Sequence, residues 1–153
     1  MKRILTSRLA FLTIALVAAS CSDDPENAVL TGRWQGTEAT AEFQPTGSPV
    51  SVYNETIPDF SPVIEFREDG SVSVEEEGIT TNGTWAYADG NKKIVANVDF
   101  QNEYLGASET FTIDRLTSKT LILVFEKDGD FDIPDFGSIS GKLSVTLDFD
   151  RIN

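Results

Sequence analysis

The chain has 153 residues, with 25 Asp and Glu against 12 Lys and Arg, one cysteine and no histidine, for a formal charge of −13. Without histidine there is no Ser-His-Asp or Cys-His relay and no histidine zinc site, and one cysteine makes neither an internal disulfide nor a thiolate cluster. The acidic excess argues against nucleic acid as a partner, and the length fits one ordinary domain.

In chain order, the first element is an address. Lys2, Arg3 and Arg8 precede an apolar run from Leu9 to Ala19 that only Thr13 interrupts. The run is too short to span about 30 Å of hydrocarbon, which takes roughly 20 helical residues. Basic start, short apolar run and small residues are the pattern of a secretory signal peptide over 1–20. Ala18-Ala19-Ser20 leads directly into Cys21, the chain's single cysteine. This resembles a bacterial lipobox, with alanine where leucine is usual three places before the cysteine. The resemblance implies acylation of Cys21 and a membrane anchor at the mature N-terminus. Ser22-Asp23-Asp24 resembles the acidic export signal of surface lipoproteins in Bacteroidetes-type bacteria, implying an outer-membrane, surface-exposed protein. Residues 21–28 are also a solvated polar tether. Removing 1–20 leaves 9 basic residues, the 12 less Lys2, Arg3 and Arg8, against all 25 acids, or −16.

The domain, 29–153, shows no helical pattern. Eight segments alternate apolar and polar residues: 30–43, 63–67, 71–75, 83–88, 93–100, 109–116, 120–126 and 142–151. Asp69-Gly70, Asn82-Gly83 and Asp89-Gly90-Asn91 supply the residues that tight hairpins favour. Short links favour sequential antiparallel neighbours, and eight such strands can close into an up-and-down barrel. A β-sandwich is the alternative that periodicity leaves open. The polar alternate face, with Glu65, Arg67 and Lys93, excludes a transmembrane barrel.

Gly32-Arg33-Trp34 resembles the Gly-x-Trp that opens lipocalin-type barrels. With Phe66–Gly70, Gly83-Thr84-Trp85 and Thr112–Thr117 in that order after a lipobox, the chain is similar to small lipocalin-like lipoprotein domains of Bacteroidetes. The resemblance covers roughly 29–126, and the last strand more loosely. It implies an eight-stranded barrel, an apolar ligand in its mouth, and an arginine over Trp34 near Gly32. Arg151 is the candidate for that cation–π contact, with Arg115 the runner-up.

Three further features bear on function. Bulky inward candidates, Trp34, Phe66, Trp85, Tyr87, Phe111, Phe125 and Phe149, favour a filled interior or a shallow pocket over a large cavity. Asp128, Asp130, Asp132 and Asp135 fall in an expected loop before the last strand, where alternate carboxylates can converge on Ca²⁺ or simply be solvated. The spacing is not that of an EF-hand. Long connections at 44–62 and 99–108 carry Tyr53, Phe60 and Tyr104, suited either to recognition or to covering the barrel's ends.

The expected function is an anchored module binding a small ligand, with Tyr53, Phe60, Trp85, Tyr87 and Tyr104 as contact residues. The alternative is an interaction lipoprotein whose barrel loops contact a protein or glycan. A carboxylate-based glycan hydrolase, which needs an acid pair across a cleft, ranks below both, since Glu75-Glu76-Glu77 reads as a solvated charge run rather than such a pair, and the chain is not expected to be an enzyme.

Overall fold

The computed structural model describes residues 29–100, 105–133 and 135–153. Cys21, Ser22, Asp23, Asp24 and Tyr104 lie outside the described residues.

Nine strands run through these residues: β1 (Gly32–Pro45), β2 (Tyr53–Thr56), β3 (Val63–Phe66), β4 (Ser71–Glu76), β5 (Ile79–Ala88), β6 (Lys93–Asn97), β7 (Glu109–Leu116), β8 (Thr120–Ile133) and β9 (Gly137–Ile152). All pairings are antiparallel and join sequence neighbours, except that β3 pairs β1 rather than β2 and that β1 also pairs β9. The result is a closed eight-stranded lipocalin-like barrel, with β2 added beside the far half of β1. Closure leaves the eight barrel strands no continuous exposed edge.

The period-two pattern sets the faces. Leu143, Val145, Leu147 and Phe149 on β9 are buried, while Ser144, Thr146, Asp148 and Asp150 alternate outwards. Val72 and Val74, Ile94 and Ala96, and Leu121, Leu123 and Phe125 join the same core. Burying an aliphatic or aromatic side chain in this way contributes about 1.5–3 kcal/mol each.

The up-and-down path gives the barrel two unlike ends. Short turns at 67–70, 89–92 and 117–119 gather at one end with both termini of the barrel. The longer connections and the β8–β9 hairpin gather at the other. We call these the closed end and the loop end. At the closed end Asp89, Gly90 and Asn91 all take positive φ, as a tight turn of small polar residues allows. Asp69 accepts hydrogen bonds from the Ser71 backbone N–H and hydroxyl, which lowers its carboxyl pKa below the ordinary value.

Three local expectations are corrected. Asn82-Gly83 is not a turn: it lies inside β5, and the hairpin from β4 turns at Glu77-Gly78, both at positive φ. Gly83 is needed for closeness, since a Cβ there would sit 2.8 Å from that of Val98. The segment 127–133 is not a loop. It continues β8 in register with β9, from Lys127↔Leu143 to Ile133↔Gly137, because Phe131, Ile133 and Ile139 stay in step with the inner face. Finally, β2 forms although only Tyr53 in it is apolar, because β1 offers it an edge beyond the end of its pairing with β3.

Candidate functional site

At the closed end, Trp34 and Arg151 are direct cross-strand partners on β1 and β9. The Arg151 guanidinium carbon lies 4.2 Å from the centroid of the fully buried Trp34 ring, in cation–π geometry. The same guanidinium donates to the carbonyls of Thr31 (3.1 Å) and Val29, and the Trp34 indole N–H donates to Leu30 O at 2.7 Å. Leu30 is thereby tucked into the core. Gly32 explains the Gly-x-Trp spacing: its φ is +127°, and a Cβ there would meet Arg151 Nη1 at 2.6 Å. Arg115 instead lies exposed on the outer face, where it offsets the charge of Asp148.

Among the described residues the centre of the barrel is closely packed. Phe111 packs against both Phe100 and Phe125, with centroids 5.4 and 6.1 Å apart. Phe100 and Leu105, flanking the β6–β7 connection, are buried at the loop end. Phe60 packs edge-on to Phe149 at 5.7 Å and fills the notch left by Gly36, where a Cβ would lie 2.7 Å from the ring. What remains between Phe60, Ile64, Phe100, Leu105 and Phe149 is a void of about 10 Å³. That volume holds at most one water.

The proposed contact residues do not form one site. Tyr53 and Phe60 are half-buried towards the loop end. Trp85 and Tyr87 sit at the opposite, closed end, with ring centroids 5.1 Å apart. The Trp85 indole N–H donates to Arg67 O at 3.0 Å, and Tyr87 remains 40% exposed.

No family model and no curated protein sequence matches the chain.

The aspartates are likewise spread out. Asp128, Asp130 and Asp132 occupy alternate positions on the outer face of β8, opposite Lys142, Ser140 and Ser138, and Asp135 sits in the turn at positive φ. Alternate strand positions are roughly 6.5 Å apart, too far for three such carboxylates to meet one calcium at about 2.4 Å. Asp130 accepts a hydrogen bond from the Ser140 hydroxyl, and Lys142 bridges to Glu126 at 3.3 Å. Among the described residues no group of three or more acidic side chains is placed to hold a metal ion. The calcium expectation assumed a turning loop, and strand pairing removes its geometry.

A recess opens at the loop-end mouth of the barrel, where inner-face residues of the β4–β5 hairpin meet the β6–β7 connection. It has a volume of about 260 Å³ and is lined by Val74, Ile79 and Phe100 with Glu76, Glu77 and Asp99. Burial, and then the neighbouring Glu77, raise the Glu76 carboxyl pKa above its ordinary value. The successive glutamates share a single hairpin and do not face one another across a cleft. Four of the exposed large apolar side chains also belong to this end: Val50, Val52, Ile79 and Phe136.

Proposed function

We propose that the protein is a lipid-anchored, non-catalytic binding module of the bacterial outer membrane that engages its partner through the loop end. The observation that carries this reading is the packed centre of the barrel: the void of about 10 Å³ below the loop-end mouth accommodates no ligand, so binding falls to that mouth and the outer surfaces. The loop end combines exposed Val50, Val52, Ile79 and Phe136 with a dense set of carboxylates, a surface suited to a protein partner with a basic rim. Anchoring is supported by the position of Cys21, eight residues before the closed end.

Photo-crosslinking in intact cells tests the reading. A crosslinking residue at position 79 or 136 should capture a discrete partner, and one at position 69 or 90 should not. Capture from the closed-end positions alone, or from neither end, overturns it. Anchoring is read separately, as an acylated N-terminal Cys21 peptide by mass spectrometry and loss of membrane association in Cys21→Ser.

A second reading, a small cationic or amphipathic ligand in the recess beside Phe100, is favoured by its volume of about 260 Å³ and its three carboxylates. Native mass spectrometry of the protein from its own membrane separates a retained small ligand from a protein partner.

A further inference from the structure

We propose that the closed end is a contact surface for anionic lipid headgroups, holding the barrel upright with its acidic loop end directed away from the membrane. The proposal rests on the anchored reading above.

Charge is unevenly shared along the barrel axis. Of the nine basic side chains after residue 20, only Lys127 and Lys142 lie towards the loop end, and Lys142 is bridged to Glu126. The other seven belong to the closed end. Five of them form an arc over neighbouring strands: Lys92 and Lys93 at the start of β6, Arg115 at the end of β7, Lys119 in the next turn and Arg33 at the start of β1. All are exposed except the half-buried Lys93. Asp114, Asp148 and Asp150 lie among them, with Glu65, Glu68, Asp69 and Asp89 elsewhere at this end, so seven acids balance its seven basic side chains. The loop end, in contrast, carries Glu75 to Glu77, Glu109 and the aspartates of the β8–β9 hairpin with little to offset them.

The second observation is aromatic. Trp85 and Tyr87 meet edge-to-face at the same end, and Tyr87 is exposed one position along the β5–β6 ladder from Lys93, which faces the other side of the sheet. Val29, where the tether joins the domain, is 54% exposed. Tyr and Trp rings at an end that also carries exposed lysines are the composition that settles at a headgroup interface.

Distance completes the argument. Arg151 holds Val29 and Thr31 at the closed end, so an acylated Cys21 keeps that end within about 28 Å of the bilayer, the reach of eight extended residues. Ten-residue strands tilted by about 40° place the loop end roughly 25 Å farther out. That separation exceeds a Debye length of about 8 Å at physiological salt. An anionic surface therefore attracts the near lysines and repels the near approach of the carboxylates, and both effects favour the same orientation.

The test supplies the anchor chemically, so it does not depend on natural acylation. Residues 21–153 are coupled through Cys21, their single cysteine, to a maleimide lipid in vesicles of phosphatidylcholine alone or with phosphatidylglycerol. Amine acetylation is then followed lysine by lysine by mass spectrometry. On anionic vesicles Lys92, Lys93 and Lys119 should react at least about threefold more slowly than on neutral ones, while Lys127 and Lys142 keep their rates. In 0.5 M salt the difference should vanish. Equal slowing at all five lysines, no slowing at any, or slowing confined to Lys127 and Lys142 overturns the proposal. A failure here with an acylated Cys21 peptide from cells discards the orientation and leaves the anchor standing. The opposite pair of results discards the natural anchor.

Discussion

Replacing Phe149 by alanine asks whether the barrel interior is a core or a ligand chamber. The ring is fully buried, lies edge-on to Phe60, and borders the void of about 10 Å³. Truncation removes about 2.5 kcal/mol of apolar burial. If the walls do not collapse it opens a space of order 100 Å³, which at about 24 cal/mol per Å³ adds roughly 2 kcal/mol. The expected loss is therefore about 4–5 kcal/mol, at the upper end for a buried Phe→Ala change, and less if Phe60 moves inwards. For a domain of this size that lowers Tm by roughly 15 °C. Urea titration and calorimetric melting measure the loss. A dry apolar cavity of this kind takes up benzene-sized molecules, so benzene or indole should bind the variant and restore part of its Tm, and should leave the wild type unchanged. A loss below about 1.5 kcal/mol, or saturable binding of the same molecules by the wild type, would refute the filled-core argument.

Two other perturbations follow from the closed end and from the carboxylates. Arg151→Ala removes the cation–π contact and both carbonyl hydrogen bonds, for a loss of about 3 kcal/mol, tempered because Arg151 Nε finds no partner among the described residues. Arg151→Lys keeps the charge without the planar fork and should lose about half as much, with faster hydrogen exchange at Leu30 and Gly32; equal stability of all three proteins would contradict the closure. Glu76 and Asp148 are held above their ordinary values, chiefly by burial, so their ionised forms weaken the fold at neutral pH. Stability should rise as pH falls through their folded-state pKa values towards the ordinary ones of 4.5 and 3.8. Asp69 acts in the opposite sense, its contribution present above 3.8 and lost as pH falls through its lowered pKa. Maximum stability is thus expected near about pH 4–5, and Glu76→Gln should stabilise at pH 7 by less than about 1 kcal/mol, with the gain gone at pH 4. A melting series that declines steadily from pH 7 downwards would contradict this.

The barrel was legible because its signals are local. Alternation marks one face of each segment, and Asp69-Gly70 and Asp89-Gly90-Asn91 mark where the chain reverses. The misread places are those where long-range pairing overrides local chemistry. Asp128, Gly129 and Asp130 read as a loop, yet the opposing Ser140, Gly141 and Lys142 extend the ladder through them. Tyr53-Asn54-Glu55-Thr56 lacks alternation and is a strand only because β1 outruns β3. The arginine over Trp34 could be named from the resemblance, but the reason for Gly32 lies in the guanidinium beside it, a contact across 119 positions of sequence. The carboxyl-rich recess was hidden for a different reason: its walls come from two separate connections, and Glu76 is distinguished from its neighbours only by facing inwards. The candidate aromatics were separated between two ends because odd and even hairpins reverse direction, which residue type does not record.

The seam between β1 and β9 also governs when the molecule can become whole. Arg151 and Thr31 are 120 residues apart, and the pairing of these two strands is the last contact that a growing chain can make. Hairpins such as β4–β5 and β5–β6 form from neighbours, but the ring cannot close until its final strand is present. Loop closure over such a span is entropically expensive and slow. The chain therefore stays an open string of hairpins until nearly all of it is present. Its final dozen residues act as a latch, closing that string into a barrel.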